Sequence, residues 1–179
     1  METNLSAKSF YNTWGKVVEN RKEEMLNIWR NKKEFTWLIK GSQNSVLAII
    51  AKELDLLSYE ADYYLLDAIL YKKEDLVPDL PINKYWFRDI KVAFEHENDF
   101  KSGLYQEVSH LLITNCDLKV LVSYPEYPEE ELKKLHRIIR ETKHSKTIHK
   151  QESFLIILGY ENNFEWEGYI YKEDDWMKI

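Results

Sequence analysis

The chain has 179 residues, 44% hydrophobic and 14% aromatic, enough for one domain with a sizeable core and too apolar for a disordered chain. Its 25 basic and 31 acidic residues leave a net charge of −6, which excludes indiscriminate coating of nucleic acid but leaves room for a local basic groove. The lone cysteine, Cys116, rules out an intramolecular disulfide and a cysteine-rich zinc site. With no apolar run near ~20 residues and no signal-peptide pattern at the start, a cytoplasmic protein that spans no membrane is expected.

Between Ser9 and Lys33, the residues Phe10, Trp14, Val17, Val18, Met25, Ile28 and Trp29 recur at three- and four-residue intervals among charges. That spacing predicts an amphipathic helical extension over residues 1–40, packed on the body or on a second subunit. Gly41 and Ser42 break it, and a second helix follows with Val46, Leu47, Ile50 and Leu54 inward and Ser42 or Asn44 as its cap. Residues 59–71 are rich in aromatics and read as strand in their later part, with a continued helix through Leu66 as the competing reading. Residues 72–84, charged and carrying Pro78 and Pro81, form a connection.

The apolar run from Val92 predicts a strand, and Gly103 opens a helix to Asn115 with Leu104, Val108, Leu111 and Leu112 buried. Residues 118–124 form the next strand, parallel to the last because a helix crosses between them. Pro128 with Glu129, Glu130 and Glu131 starts a further helix, with Lys143 and His144 near its end, the charge order the helix dipole favours. Residues 154–160 and 166–171 make a C-terminal β-hairpin around residues 161–163. The expectation is a single α/β domain over 1–179, with a central mixed sheet flanked by helices.

The residues with the most chemistry lie in the strand that ends Glu95-His96-Glu97. Strand side chains alternate, so Glu95 and Glu97 share a face while Val92, Phe94 and His96 take the other. Two carboxylates on one face repel; a divalent cation such as Mg²⁺ or Mn²⁺ resolves that repulsion, and the plainer alternative is an edge strand with a solvated acidic end. No glycine-rich phosphate loop and no His-Glu-x-x-His pattern is present.

Helix, strand with aspartate, strand with paired glutamates, helix, parallel strand: in that order, over residues 43–125, the chain resembles the restriction-endonuclease-like superfamily, the PD-(D/E)XK nucleases. The residues that carry the resemblance are Asp67-Ala68-Ile69-Leu70-Tyr71 and Val92-Ala93-Phe94-Glu95-His96-Glu97. It implies that Asp67 and Glu95 hold Mg²⁺ and that Glu97 stands at the position of the usual lysine, as base or second-metal ligand. Asp62 competes with Asp67, since the two face opposite sides of an unbroken strand. Lys101 or Lys91 is the candidate substitute cation, Gln106 a supporting residue on the following helix, and Glu53 an additional acid. His110 reads as a surface residue. The activity implied is metal-dependent phosphodiester hydrolysis, of DNA by analogy. The alternative is an inactive protein of the same fold acting as an interaction module or accessory subunit through its N-terminal helix.

Overall fold

The computed structural model describes residues 5–99, 104–160 and 164–179. Four helices come first: α1 (Ala7–Asn20), α2 (Lys22–Ile28), α3 (Lys32–Ile39) and α4 (Val46–Glu53). Strands β1 (Leu57–Tyr59), β2 (Ala68–Tyr71) and β3 (Val92–Glu97) follow, then α5 (Tyr105–Ile113) and β4 (Leu118–Ser123). Helices α6 (Pro128–Arg140) and α7 (Ser145–Gln151) lead to β5 (Phe154–Tyr160), β6 (Glu165–Tyr171) and β7 (Trp176–Lys178). The seven strands form one mixed sheet in sequence order, with β3–β4 and β4–β5 parallel and the other neighbours antiparallel.

Two parallel steps in the same direction across a sheet, each with a right-handed crossover, put both sets of connecting helices on one face. Accordingly Ile69, Ala93, Leu121, Ile156 and Leu158 pack with Val108, Leu111, Leu135, Ile139 and Ile148 of α5–α7. The alternate residues, among them Ala68, Leu70, Val92, Phe94, Val120 and Ile157, pack against α1–α4. Helices on both faces explain why β4 and β5 read as continuous apolar runs. The charged exception in β4, Lys119, is 6% exposed and satisfied by the Thr114 carbonyl at 2.7 Å and the Cys116 thiol at 3.2 Å.

The N-terminal segment differs from the single helix its periodicity predicts. It breaks at Arg21 and again at Asn31, whose side chain caps α3, so that Trp14, Met25, Phe35 and Ile39 all reach one curved surface. Its apolar stripe is spent on the protein's own sheet: Trp14 is fully buried, 5.1 Å from Trp166 and 6.4 Å from Phe94 between ring centroids. The cap of α4 is Ser45 rather than Ser42 or Asn44, its hydroxyl accepting from the Ala48 N–H at 2.9 Å. The later part of residues 59–71 is strand as expected, β2 over Ala68–Tyr71, whereas the competing helix through Leu66 is replaced by a tight turn that a Tyr63–Leu66 bridge closes between β1 and β2. The helix begun at Pro128 ends at Arg140, and the short α7 follows before β5. The parallel β3–β4 pair, the β5–β6 hairpin and the helix-flanked mixed sheet stand as expected. Among the described residues no helix is long and apolar enough to cross a membrane.

Candidate functional site

Antiparallel register pairs Ala68 with Phe94, so the next step places Asp67, at the mouth of β2, opposite Glu95. The two are linked through backbone and side chain. The Asp67 N–H donates to the Glu95 carboxyl, and the His96 N–H donates to Asp67 Oδ2 at 2.8 Å. From α5, His110 Nδ1 lies 3.0 Å from Glu95 Oε1, and Glu107 shares a hydrogen bond with Glu97. The acids therefore collect at the carboxyl end of β3, under the N-terminal half of α5.

A cation enters from the other layer. Lys40, the residue that ends α3, reaches Asp67 Oδ1 at 2.5 Å, the Asp67 carbonyl at 3.2 Å and Asp62 Oδ1 at 3.3 Å. Its aim is set by the next residue: Gly41 sits at φ 114°, where a side chain would be strained, and its N–H donates to Glu60 Oε2 at 2.5 Å. Glu60 is held in turn by the Ser45 and Ser58 hydroxyls, both at 2.7 Å. A carboxylate on β1's trailing end thus fixes the α3–α4 turn and, through it, Lys40.

Glu95 is 3% exposed. Burial, then the charges of Asp67 and Glu107, push its carboxyl up to about 9, against the pull of the Asp67 N–H and Lys40. Glu97 is raised as well, by burial first and then by Glu107. One oxygen of Glu107, Oε2, is buried and accepts no hydrogen bond among the described residues. On the opposite face His96 is buried against Tyr124, Nε2 to hydroxyl 3.1 Å, and burial pushes its imidazole down to about 4. At neutral pH this central strand carries a protonated acid and a neutral imidazole side by side.

Of the candidates read from the sequence, Asp67, Glu95 and Glu97 share one end of the sheet, and Asp62 contributes only to the outer side of Lys40, its side chain 82% exposed. Glu53 is exposed on α4 and borders a cleft against α1, on the other face of the sheet. Gln106 points outward, and the residues of α5 that meet the acids are Glu107 and His110, so the surface reading of His110 is corrected. Lys91 pairs with Asp75, Asp89 and Asp117 at the far end of β3, and Lys101 lies outside the described residues. Lys40 and Glu107 had been missed. The i, i+3 spacing of Glu107 and His110 was the available signal for the second; nothing local signals the first.

As the side chains stand, no three Asp, Glu, His or Cys groups among the described residues converge as a metal shell, because Asp67 is turned to Lys40 and Glu95 to His110. The donor chemistry nonetheless suits a hard divalent ion: carboxyl oxygens only, one of them buried without a partner, at a point where like charges hold protons on. No protein-family model, curated protein or solved structure matches the chain.

Proposed function

We propose that the protein is a divalent-metal-dependent phosphodiester hydrolase with a restriction-endonuclease-like core, acting on nucleic acid, with DNA the substrate by analogy to the superfamily it resembles. One observation carries this reading: in the order α4, β1, β2, β3, α5, β4, the aspartate that enters β2 meets the first glutamate of Glu-x-Glu on β3, with a lysine ammonium against it. Asp67 and Glu95 would hold Mg²⁺ or Mn²⁺, with Glu97 completing the acidic side. When bound, the ion supplies charge neutralisation at the scissile phosphate and acidifies the attacking water. Lys40 provides the positive charge that the glutamate at position 97 does not, and would move from Asp67 to a phosphate oxygen. Glu97, hydrogen-bonded to Glu107, is the group placed to accept a proton from water once its own carboxyl is ionised. His110 fixes the Glu95 carboxyl, whose proton a bound ion would displace.

A second reading is favoured by the pairing of Asp67 with Lys40 and Glu95 with His110: an inactive protein of this fold whose acids are internally satisfied, serving as an interaction module. The two separate by calorimetric titration with Mg²⁺ and Mn²⁺ beside cleavage assays on single- and double-stranded DNA. Hydrolysis predicts saturable binding and metal-dependent cleavage, both lost in Glu95→Ala and Asp67→Ala. Cleavage that survives both substitutions would remove the assignment.

A further inference from the structure

The connection between β2 and β3, long for the superfamily the chain resembles, is folded rather than loose. Leu76 bridges to Phe87, the Val77 N–H donates to the Trp86 carbonyl at 2.9 Å, and the Arg88 guanidinium donates to the carbonyls of Glu74 and Leu76. Its tip and the β1–β2 turn enclose a cleft of about 380 Å³ lined by Tyr59, Tyr63, Tyr64, Lys84, Tyr85 and Trp86. Behind it the rings form a fixed wall: Tyr59 lies 4.9 Å from Tyr85, and Tyr63 lies 4.9 Å from both Tyr64 and Phe87. In front, Tyr64 is 76% and Trp86 51% exposed. Tyr64 is also held at φ 54°, an uncommon conformation for a bulky residue, which presents its ring outward.

Among the described residues that line this cleft, Lys84 is the one charged group, and it is cationic on a chain of net charge −6. Rigid aromatic faces with a single exposed ammonium match a nucleobase and its phosphate; the volume lies at the small end for a ligand site. Tyr59, Tyr63 and Phe87 pack on the α5–α7 side of the sheet, the face that carries Glu95. Tyr64 precedes Asp67 by three residues, a Cα separation of at most about 11 Å, or roughly three stacked nucleotides.

We infer that this cleft binds an unpaired nucleobase, stacked on Tyr64 and Trp86 with its phosphate on Lys84, and that the substrate class is therefore single-stranded or locally unpaired nucleic acid. The inference rests on the hydrolase reading for what happens at the phosphodiester, but base binding itself does not. Stacked between paired neighbours, a base in a duplex offers no free face, so an unpaired strand is the form the cleft can take.

The test is fluorescence anisotropy with a labelled twelve-residue oligothymidylate and a duplex of equal length, on the wild-type protein in EDTA, where hydrolysis is silent. The single strand is expected to bind at least tenfold more tightly than the duplex. Tyr64→Ala and Trp86→Ala, both at exposed side chains and checked by thermal melting, are each expected to weaken it about tenfold, the loss of one stacked base. Lys84→Ala is expected to reduce the salt slope by about 0.7, one phosphate contact on a single strand. Unchanged affinity in both aromatic variants, or no binding of the single strand, overturns the inference. Base binding lost in these variants together with no cleavage in Mg²⁺ upholds the cleft and removes the hydrolase. Cleavage that depends on Glu95 but is indifferent to Tyr64 and Trp86 does the reverse.

Discussion

Glu95→Gln isolates the proton held at the centre of the sheet. The folded carboxyl titrates at about 9 against an ordinary value of 4.5, so between these pH values the folded chain binds a proton that the unfolded chain has released. Its stabilisation is complete below the unfolded value and drains away as pH rises, by up to about 1.4 kcal/mol per pH unit, or about 3 kcal/mol by pH 7. His96 works in the opposite direction. Its folded value of about 4 lies below the ordinary 6.5, so its contribution is present above 6.5 and is lost as pH falls toward 4. Below pH 6.5 the two slopes offset each other, and the window that exposes Glu95 alone is alkaline. Between pH 7 and about 8.5 the stability gap between Glu95→Gln and wild type should widen by about 2 kcal/mol in favour of the variant. Urea denaturation at several pH values, read by tryptophan fluorescence, gives this directly. A gap that stays constant within about 0.5 kcal/mol over that window would refute a buried, protonated Glu95.

On the acid side, His96→Phe should flatten the decline in stability between pH 6.5 and 4, measured by the same denaturation series; an unchanged acid limb would place that proton uptake elsewhere. Lys40→Ala removes the ammonium from Asp67 and should cost about 2 kcal/mol in urea denaturation. Because Lys40 opposes the rise at Glu95, the same variant should push that carboxyl further up and extend the alkaline decline. Trp14→Ala, at a fully buried site between Phe94 and Trp166, should cost about 4 kcal/mol by calorimetry. A loss below about 1 kcal/mol would mean that α1 is a detachable docking helix rather than part of the core.

What could be read from the sequence was what local rules govern. Strand alternation is a two-residue property, so the shared face of Glu95 and Glu97 and the opposite face of His96 followed from position alone. The choice between Asp62 and Asp67 turned instead on the Tyr63–Leu66 bridge, a tight turn inside a run whose aromatic residues favour strand but whose short apolar stretch does not settle the period. The N-terminal stripe was legible as apolar, but its division into three helices depends on the curvature of the surface it covers. Lys40 lay beyond any local rule: its approach to Asp67 crosses 27 residues and depends on Gly41 and Glu60 setting the α3–α4 turn.

The arrangement on β3 is difficult to explain as packing alone. A strand covered by helices on both faces is most stable when its inward residues are apolar, as Val92, Ala93 and Phe94 are. The next two, Glu95 and His96, are buried ionisable groups forced to stay neutral, and the glutamate alone costs about 3 kcal/mol at pH 7. Apolar residues of similar size would remove that cost, since buried polar groups seldom out-stabilise well-packed apolar ones. Conflicts of this kind, where a local rule is broken inside an otherwise consistent core, concentrate at functional sites. Here the conflict falls at the carboxyl end of a parallel strand, the side of an α/β sheet where ligands bind, and beside Lys40, which the end of α3 delivers there. A ligand that ionised Glu95 would have to displace its proton, so its binding would tighten as pH rises toward 9.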